Sequence, residues 1–496
     1  MNHFQSLARA FQQIHYLSKT IALLDWDHET YLPAKGVAYR AEQQAYLSGL
    51  AHQRLTSSEV GDLIHACESE LDELSAEEQA NLRCWRRDRD RAVKLPTAFV
   101  ETFEKRCSLA KSSWAAARKR NQFNLFEQDL SELIRLCREK ANHYGYQEHP
   151  YDALMDVYEP GITCAQLDPV LDSLKAFIVS FLPTAMERTA SVSANFLSGD
   201  YPIEGQIALN ESVARATGFD MEAGRIDATI HPFCTDLGPQ DIRLTTRYDV
   251  RDFTVSLYSV LHEVGHGLYE QGLDTRHVGT PLAESVSLGI HESQSRLWEN
   301  KVGRAPEFWE DWHQEACRHL PTLKALTPQQ IALAVNRVSP SLIRVEADEV
   351  TYDLHIILRY EMEKALIAGE MEVAEIPSQW NQRFKAMFGL EVPDDAHGCL
   401  QDIHWSMGGF GYFPTYTLGN LNSAQLFEAA RAHIGPSLNR IEQKSYAPLL
   451  GWLQNHVHRH GRLHDPNQLM TLATGRATDP AVHQHYLRAR FESLGA

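Results

Sequence analysis

Apolar residues recur at intervals of three and four along the first part of the chain, in segments such as FQQIHYLSKTIALL (11–24), AEQQAYLSGLAHQRL (41–55) and PVLDSLKAFIVSFL (169–182). That spacing places them on one side of a helix and predicts helices from Met1 to about Leu197. LPAKG (32–36), YGYQEHPYD (144–152) and EPGIT (159–163) read as turns between them. After Gly224 the period changes to two. Ile226, Ala228 and Ile230 alternate with polar neighbours, as do Ile242, Leu244, Thr246 and Tyr248, and a small strand pair or ribbon is expected there. From Asp252 the helical period returns in SLYSVLHEVGHGLYEQGL (256–273), ESVSLGIHESQSRLWENKV (284–302), IRVEADEVTYDLHIILRYEMEKALIAG (343–369) and SAQLFEAARAHI (423–434). GGFGYFPTYTLGN (408–420) interrupts it as a loop rich in glycine and aromatic residues. The expected fold class is mainly α with a small β-sheet. No repeat or linker divides the chain, which reads as one domain, 1–496, with a helical half of about 1–197 and a second half of about 198–496.

Composition narrows the function classes. A hydrophobic share of 43% with 23% charged residues suits a globular protein with a large core. The N-terminus lacks a basic stretch followed by an apolar one, and no purely apolar run nears the roughly 18 residues of a membrane span, so a cytoplasmic protein without membrane contact is expected. The eight cysteines contain no CxxC pair and read as reduced packing residues. A formal net charge of −18 argues against nucleic acid as a partner.

The chemistry concentrates at His262, Glu263 and His266, which fit H-E-x-x-H. Histidines four apart on a helix can hold one metal ion, with the adjacent glutamate turned toward its water. With 24 histidines in the chain, a chance match has a probability on the order of one in ten, so context decides. The context is a credible helix: Asp252 or Thr254 can cap it, Phe253, Val260, Leu261, Val264 and Leu268 supply its apolar positions, and Gly272 can end it. A hydrolytic zinc site needs a third protein ligand. Glu284, Glu292 and Glu299 follow at separations of eight and seven, close to whole helical turns, and spacing alone does not choose among them.

The words HPF (231–233), DIRLT (241–245), HEVGH (262–266), HESQ (291–294), IRVEAD (343–348) and GCLQDIHW (398–405), in this order over nearly the whole chain, resemble the Taq carboxypeptidase family of metallopeptidases, peptidase family M32. LDWDHETYLP (24–33) resembles the family's start, with YLPAKG where the family has Met and paired glycines. The resemblance implies two helical halves lining a long substrate groove, a zinc-dependent carboxypeptidase that releases single C-terminal residues from peptides with a free C-terminus, and a homodimer. It also implies Glu292 as the third metal ligand beside His262 and His266. Two histidines and a carboxylate accept Zn2+, and also Co2+ or another divalent ion.

Roles follow from chemistry. Glu263 is the expected general base and acid. Tyr412 and Tyr416 are candidate donors to the developing oxyanion, with Tyr416 favoured by the resemblance, and His231 and His404 are further candidates. Arg344 is the best candidate to grip a terminal carboxylate, its alternative being an ion pair with Glu346, Asp348 or Glu349. Arg243 could also bind substrate, or pair with Asp241 or Asp249. Gln401, Asp402 and Asp348 are candidates to orient the metal-binding histidines. Two rival readings are an endo-acting oligopeptidase and a catalytically silent helical scaffold. The intact Glu263 weighs against the scaffold.

Overall fold

The computed structural model describes residues 2–435 and 445–494, and helices make up most of its regular structure. Local signals account for where many of them begin. Asn2 and Gln5 form a reciprocal cap on His3–Thr30, as Ser75 and Glu78 do on Ala76–Lys94 and Thr163 and Gln166 do on Cys164–Thr189. Cys164–Thr189 is the one described helix long and apolar enough to cross a membrane by length and composition. Leu167, Leu171, Leu174 and Ile178 bury one side of it in a protein core, which accounts for that apolarity.

The sheet has three strands in the order β1 (Gly224–Ala228), β3 (Ile242–Thr246), β2 (Cys234–Asp236). The alternating segments of the sequence thus pair in parallel, Ile226 beside Leu244, and the intervening β2 adds an antiparallel edge. Ile230 lies beyond the end of β1 and is largely exposed, so the expected alternation stops at Ala228. β3 is buried because the helix Phe253–Gly272 packs on it, and an added Cβ at Gly267 would come within 3.0 Å of Leu244.

Two large cores divide the molecule. One joins Phe99–Ala185 to residues from Val338 to Phe491, and the other surrounds β3 and the helices near 253–332. A small third core, with Leu7, Phe11, Ile64 and Trp85, holds the N-terminal helices together. The helix Leu288–Arg296 puts Ile290 into the second core and packs against Pro414–Ile434, whose Leu418 and Leu421 belong to the first. Full burial of one such Leu or Ile side chain contributes about 1.5–3 kcal/mol, so this seam is well anchored.

Two expected helices are shorter than their periodicity suggests. Residues 343–351 are irregular apart from one turn at Arg344–Glu346, and the helix begins only at Tyr352. The reason is Asp348, whose carboxylate accepts from the backbone N–H groups of Ser339, Val350 and Thr351, each at 3.0 Å, in competition with helix formation. Likewise Leu288–Arg296 starts after Glu284, and Leu297–Gly303 continues it as a wider π-helical turn. Conversely, the expected loop at 408–420 ends at Phe413, because Pro414 starts the helix Pro414–Ile434 and carries Tyr416 on its first turn.

Candidate active site

Asp252 caps Phe253–Gly272 by accepting from the Thr254 backbone at 2.9 Å. Gly272 is its last helical residue and Leu273 turns extended, so Gly272 does not supply a left-handed stop. Its missing side chain makes room for His458, whose ring nitrogen would lie 2.4 Å from a Cβ there. Gly265 has a comparable purpose: a Cβ would lie 2.5 Å from Gln294 O and Ser295 Cα, so glycine lets Leu288–Arg296 approach the histidine helix. Gly419 does the same from the other side, where a Cβ would fall 2.4 Å from Glu292 Cγ. Glu292 is thereby pressed between two helices.

This packing brings His262, His266 and Glu292 together, with their ligand atoms within 4.8 Å of one another. His262 Nε2 lies 3.6 Å and His266 Nε2 3.5 Å from the same oxygen, Glu292 Oε2. Ligand atoms about 2.1 Å from one tetrahedral ion lie about 3.4 Å apart, so the set fits zinc or a similar divalent cation. Among the described residues one other such group exists, His149, Asp152 and Cys164, but there His149 Nδ1 accepts from Tyr151 N and Asp152 Oδ1 from Cys164 N.

Of the three carboxylates the sequence left open, Glu284 is drawn away by Arg462 at 2.8 Å and is not on the helix. Glu299, in the π-helical turn, accepts from His262 Nδ1 at 3.0 Å, which leaves Nε2 free to bind a cation. Asp402 and Asp348, expected as possible partners of the histidines, are engaged elsewhere: Asp348 in its backbone turn and Asp402 with two arginines. Glu299 could not be singled out from the sequence because its spacing equally suits a ligand.

Electrostatics separate the groups. Burial pushes Glu263 up to about 7, with the nearby Glu292 adding to the rise against His262. Burial opposes ionisation of Glu292 as well, but Arg296 and His262 overcome it and hold that carboxyl well below the usual range. Burial and the neighbouring His291 push His266 down to about 3. For His262, burial is outweighed by Glu292 and Glu299, which raise it to about 9. His291 stacks on His266 with ring centroids 4.4 Å apart and meets Glu270 at 2.7 Å.

Arg344 is buried, and its partner is Asp402 rather than the neighbouring acids the sequence offered. Its Nε donates to Asp402 Oδ1 at 3.0 Å, its Nη1 to Tyr352 Oη at 2.9 Å, and its backbone N–H to Gln401 at 2.8 Å. Arg359 donates to the other Asp402 oxygen at 2.7 Å. Tyr416 lies with its ring 5.1 Å from the Arg344 guanidinium, its hydroxyl 3.4 Å from His404 Nε2 and its ring 5.4 Å from Tyr412. Burial raises both phenols, and the charge on Glu292 adds to the rise in each. Burial likewise pushes His404 down to about 4.

The remaining candidates lie on or beside the sheet against which the histidine helix packs. Arg243 pairs with Asp241 at 2.8 Å and lies 4.2 Å over the ring of Trp26 in the first helix. His231 is exposed between β1 and β2. Arg296 and Tyr352 belong to no motif: the i,i+4 pairing of Arg296 with Glu292 looks in the sequence like an ordinary helix salt bridge, and its contact with Tyr352 arises only when segments distant in sequence meet.

The sequence profile of the family described as "Carboxypeptidase Taq (M32) metallopeptidase" matches residues 6–491. Thermostable carboxypeptidase 1 of Thermus thermophilus is 38% identical, with 99% of this chain and 98% of that protein covered, and carboxypeptidase 1 of Bacillus subtilis is 36% identical over 97% of each. The crystal structure of the M32 carboxypeptidase from Deinococcus radiodurans superposes with a TM-score of 0.97 at 38% identity over 100% of both chains. The structure of Pyrococcus furiosus carboxypeptidase superposes with a TM-score of 0.96 at 33% identity over 99% of both chains. A divalent metal is implied by this family, and with it peptide substrates. The chain belongs to the Taq carboxypeptidase (M32) family of metallopeptidases.

Proposed function

We propose that this protein is a zinc-dependent carboxypeptidase that releases single amino acids from peptide C-termini, with Glu263 as general base and acid. The observation that carries the reading is the pairing of two sites by direct contacts. Glu292 meets Arg296 at 2.7 Å, Arg296 lies 4.4 Å over Tyr352, and Tyr352 meets Arg344. A cation-binding cluster is therefore joined by a short chain of contacts to a buried guanidinium, the two features an exopeptidase needs for bond cleavage and for a terminal carboxylate.

A divalent ion held by His262, His266 and Glu292 would polarise the scissile carbonyl and acidify a water. Glu263 takes the proton from the attacking water and delivers it to the leaving amine, the acid and base work of a carboxylate next to the metal-binding histidines. Tyr416 donates to the developing oxyanion, with His404 orienting its hydroxyl and Tyr412 flanking its ring. Arg344, fixed by Asp402 and Tyr352, grips the terminal carboxylate. Arg243, held by Asp241 and Trp26, and the exposed His231 receive no role in this scheme. A homodimer and a cytoplasmic location complete the proposal.

The test is incubation of the purified protein, analysed for zinc, with a peptide bearing a free C-terminus, products being followed by mass spectrometry. Single C-terminal losses that cease with chelator and with Glu263→Gln are expected. Internal fragments would replace the reading by an endo-acting oligopeptidase, and an uncut peptide with metal bound by a silent scaffold.

A further inference from the structure

We propose that Arg296 is a positioning residue that holds Glu292 to one oxygen at the metal position and ties that position to the arginine that grips the substrate carboxylate. This rests on the reading above, in which His262, His266 and Glu292 take a cation and Arg344 takes the peptide terminus.

The two oxygens of Glu292 have different surroundings. Oε2 faces both imidazoles, at 3.6 and 3.5 Å, with Ser295 Oγ at 3.1 Å. Oε1 is occupied by Arg296 Nε at 2.7 Å. A carboxylate with one oxygen engaged by a guanidinium offers a cation a single oxygen, and its plane is fixed by a charge-assisted hydrogen bond. The same guanidinium reaches Glu299 Oε2 at 3.5 Å, the atom that accepts from His262 Nδ1. One cation thus orients a metal-binding carboxylate and neighbours the carboxylate that orients a metal-binding histidine.

An i,i+4 pair of this kind on a helix surface would be an ordinary salt bridge worth a fraction of a kcal/mol. Here the Arg296 side chain is only 13% exposed and Glu292 9%, and the guanidinium has a second face in use. It lies 4.4 Å from the Tyr352 ring, while the Tyr352 hydroxyl accepts from Arg344 Nη1 at 2.9 Å. Tyr352 is therefore fixed at its ring by one arginine and at its hydroxyl by another. A planar guanidinium can stack and hydrogen-bond in the same pose, which an ammonium cannot. Loss of Arg296 would free Glu292 Oε1 to turn toward the cation, and would let Tyr352 tilt away from Arg344.

The test compares full-length wild type with Arg296→Gln, Arg296→Lys, His262→Ala and His266→Ala, each shown to be folded by near-ultraviolet circular dichroism. Zn2+ affinity is measured by competition with a chromophoric chelator, the absorption spectrum of the Co2+-loaded protein is recorded, and kcat and KM are determined separately at saturating metal. Arg296→Gln is expected to lose about 10- to 100-fold in Zn2+ affinity and to alter the Co2+ spectrum as the carboxylate changes its mode. Its KM for a peptide with a free C-terminus rises severalfold. Arg296→Lys, which keeps the charge, recovers much of the metal affinity while KM stays raised, because stacking on Tyr352 is not restored. Wild-type Zn2+ affinity and an unchanged Co2+ spectrum in Arg296→Gln would overturn the positioning role, even with the histidine variants metal-free. If those variants bind metal as wild type does, the underlying site assignment fails instead. Should Arg296→Gln not fold, Arg296→Lys decides: an unchanged KM overturns the proposal.

Discussion

Burial, with other carboxylates nearby, makes Glu263 hold its proton more tightly than a carboxyl in water. Glu263→Gln should lower kcat by about 10²- to 10⁴-fold without changing bound zinc, as measured by metal analysis beside the peptide assay. Arg344→Met should lower kcat/KM for free C-termini by about 10- to 100-fold, the scale of one or two charge-assisted hydrogen bonds. Amidated peptides, which lack the carboxylate, should show no such difference. A further buried carboxyl, Glu363, accepts from Trp405 Nε1 at 2.7 Å and from the Gly411 backbone at 2.9 Å, and burial raises it from 4.5 to about 7. Between these values the folded chain keeps a proton that the unfolded chain has released. Its contribution to stability therefore falls as pH rises from 4.5 toward 7 and changes no further above that. Urea unfolding of Glu363→Gln across this range should show a shallower decline than wild type. Of these residues Glu263 and Arg344 could be picked from the sequence by chemistry and motif. Glu363 could not, because nothing in its helical neighbourhood distinguishes a buried glutamate from a solvated one.

The active site depends on how closely three helices approach. Gly265→Ala would place a methyl group against the backbone at Gln294 and Ser295, where no side chain can yield. It should cost about 1–3 kcal/mol in denaturant unfolding and lower zinc affinity, because Phe253–Gly272 and Leu288–Arg296 carry the histidines and Glu292 respectively. The helices themselves, and the position of the sheet just before the histidine helix, were legible from the spacing of apolar residues. Their ends were less so. Asp348 takes the N–H groups of Val350 and Thr351 within the irregular stretch 343–351 and that of Ser339 before it, and the π-helical turn at Leu297–Gly303 widens a helix whose apolar pattern looks regular. Both features depend on hydrogen-bond choices that periodicity does not encode. Arg344 sits in the unwound stretch, and for that reason it meets Asp402, 58 positions along the chain, instead of an acid one turn away.

At the scale of the molecule, the first helix is fastened to the sheet largely by polar and cation–π contacts. Lys19 pairs with Asp236, Tyr31 donates to Asp227 at 2.6 Å, and Trp26 lies between Arg225 and Arg243. The C-terminal helix Pro480–Leu494 is fastened differently. Leu487 and Phe491 enter the core that contains Phe99–Ala185, while Tyr486 and Arg490 close over the buried pair Lys301 and Glu349. A chain ending at residue 479 should leave that ion pair uncovered and lose cooperative unfolding, which calorimetry would show. This joining leaves no local pattern in the sequence, since it depends on contacts between segments some 300 positions apart. It has a consequence for biosynthesis. A nascent chain emerging from the ribosome can form its early helices but cannot close this core until residues 480–494 have left the exit tunnel, so the segments around Phe99–Ala185 must wait with apolar surface uncovered.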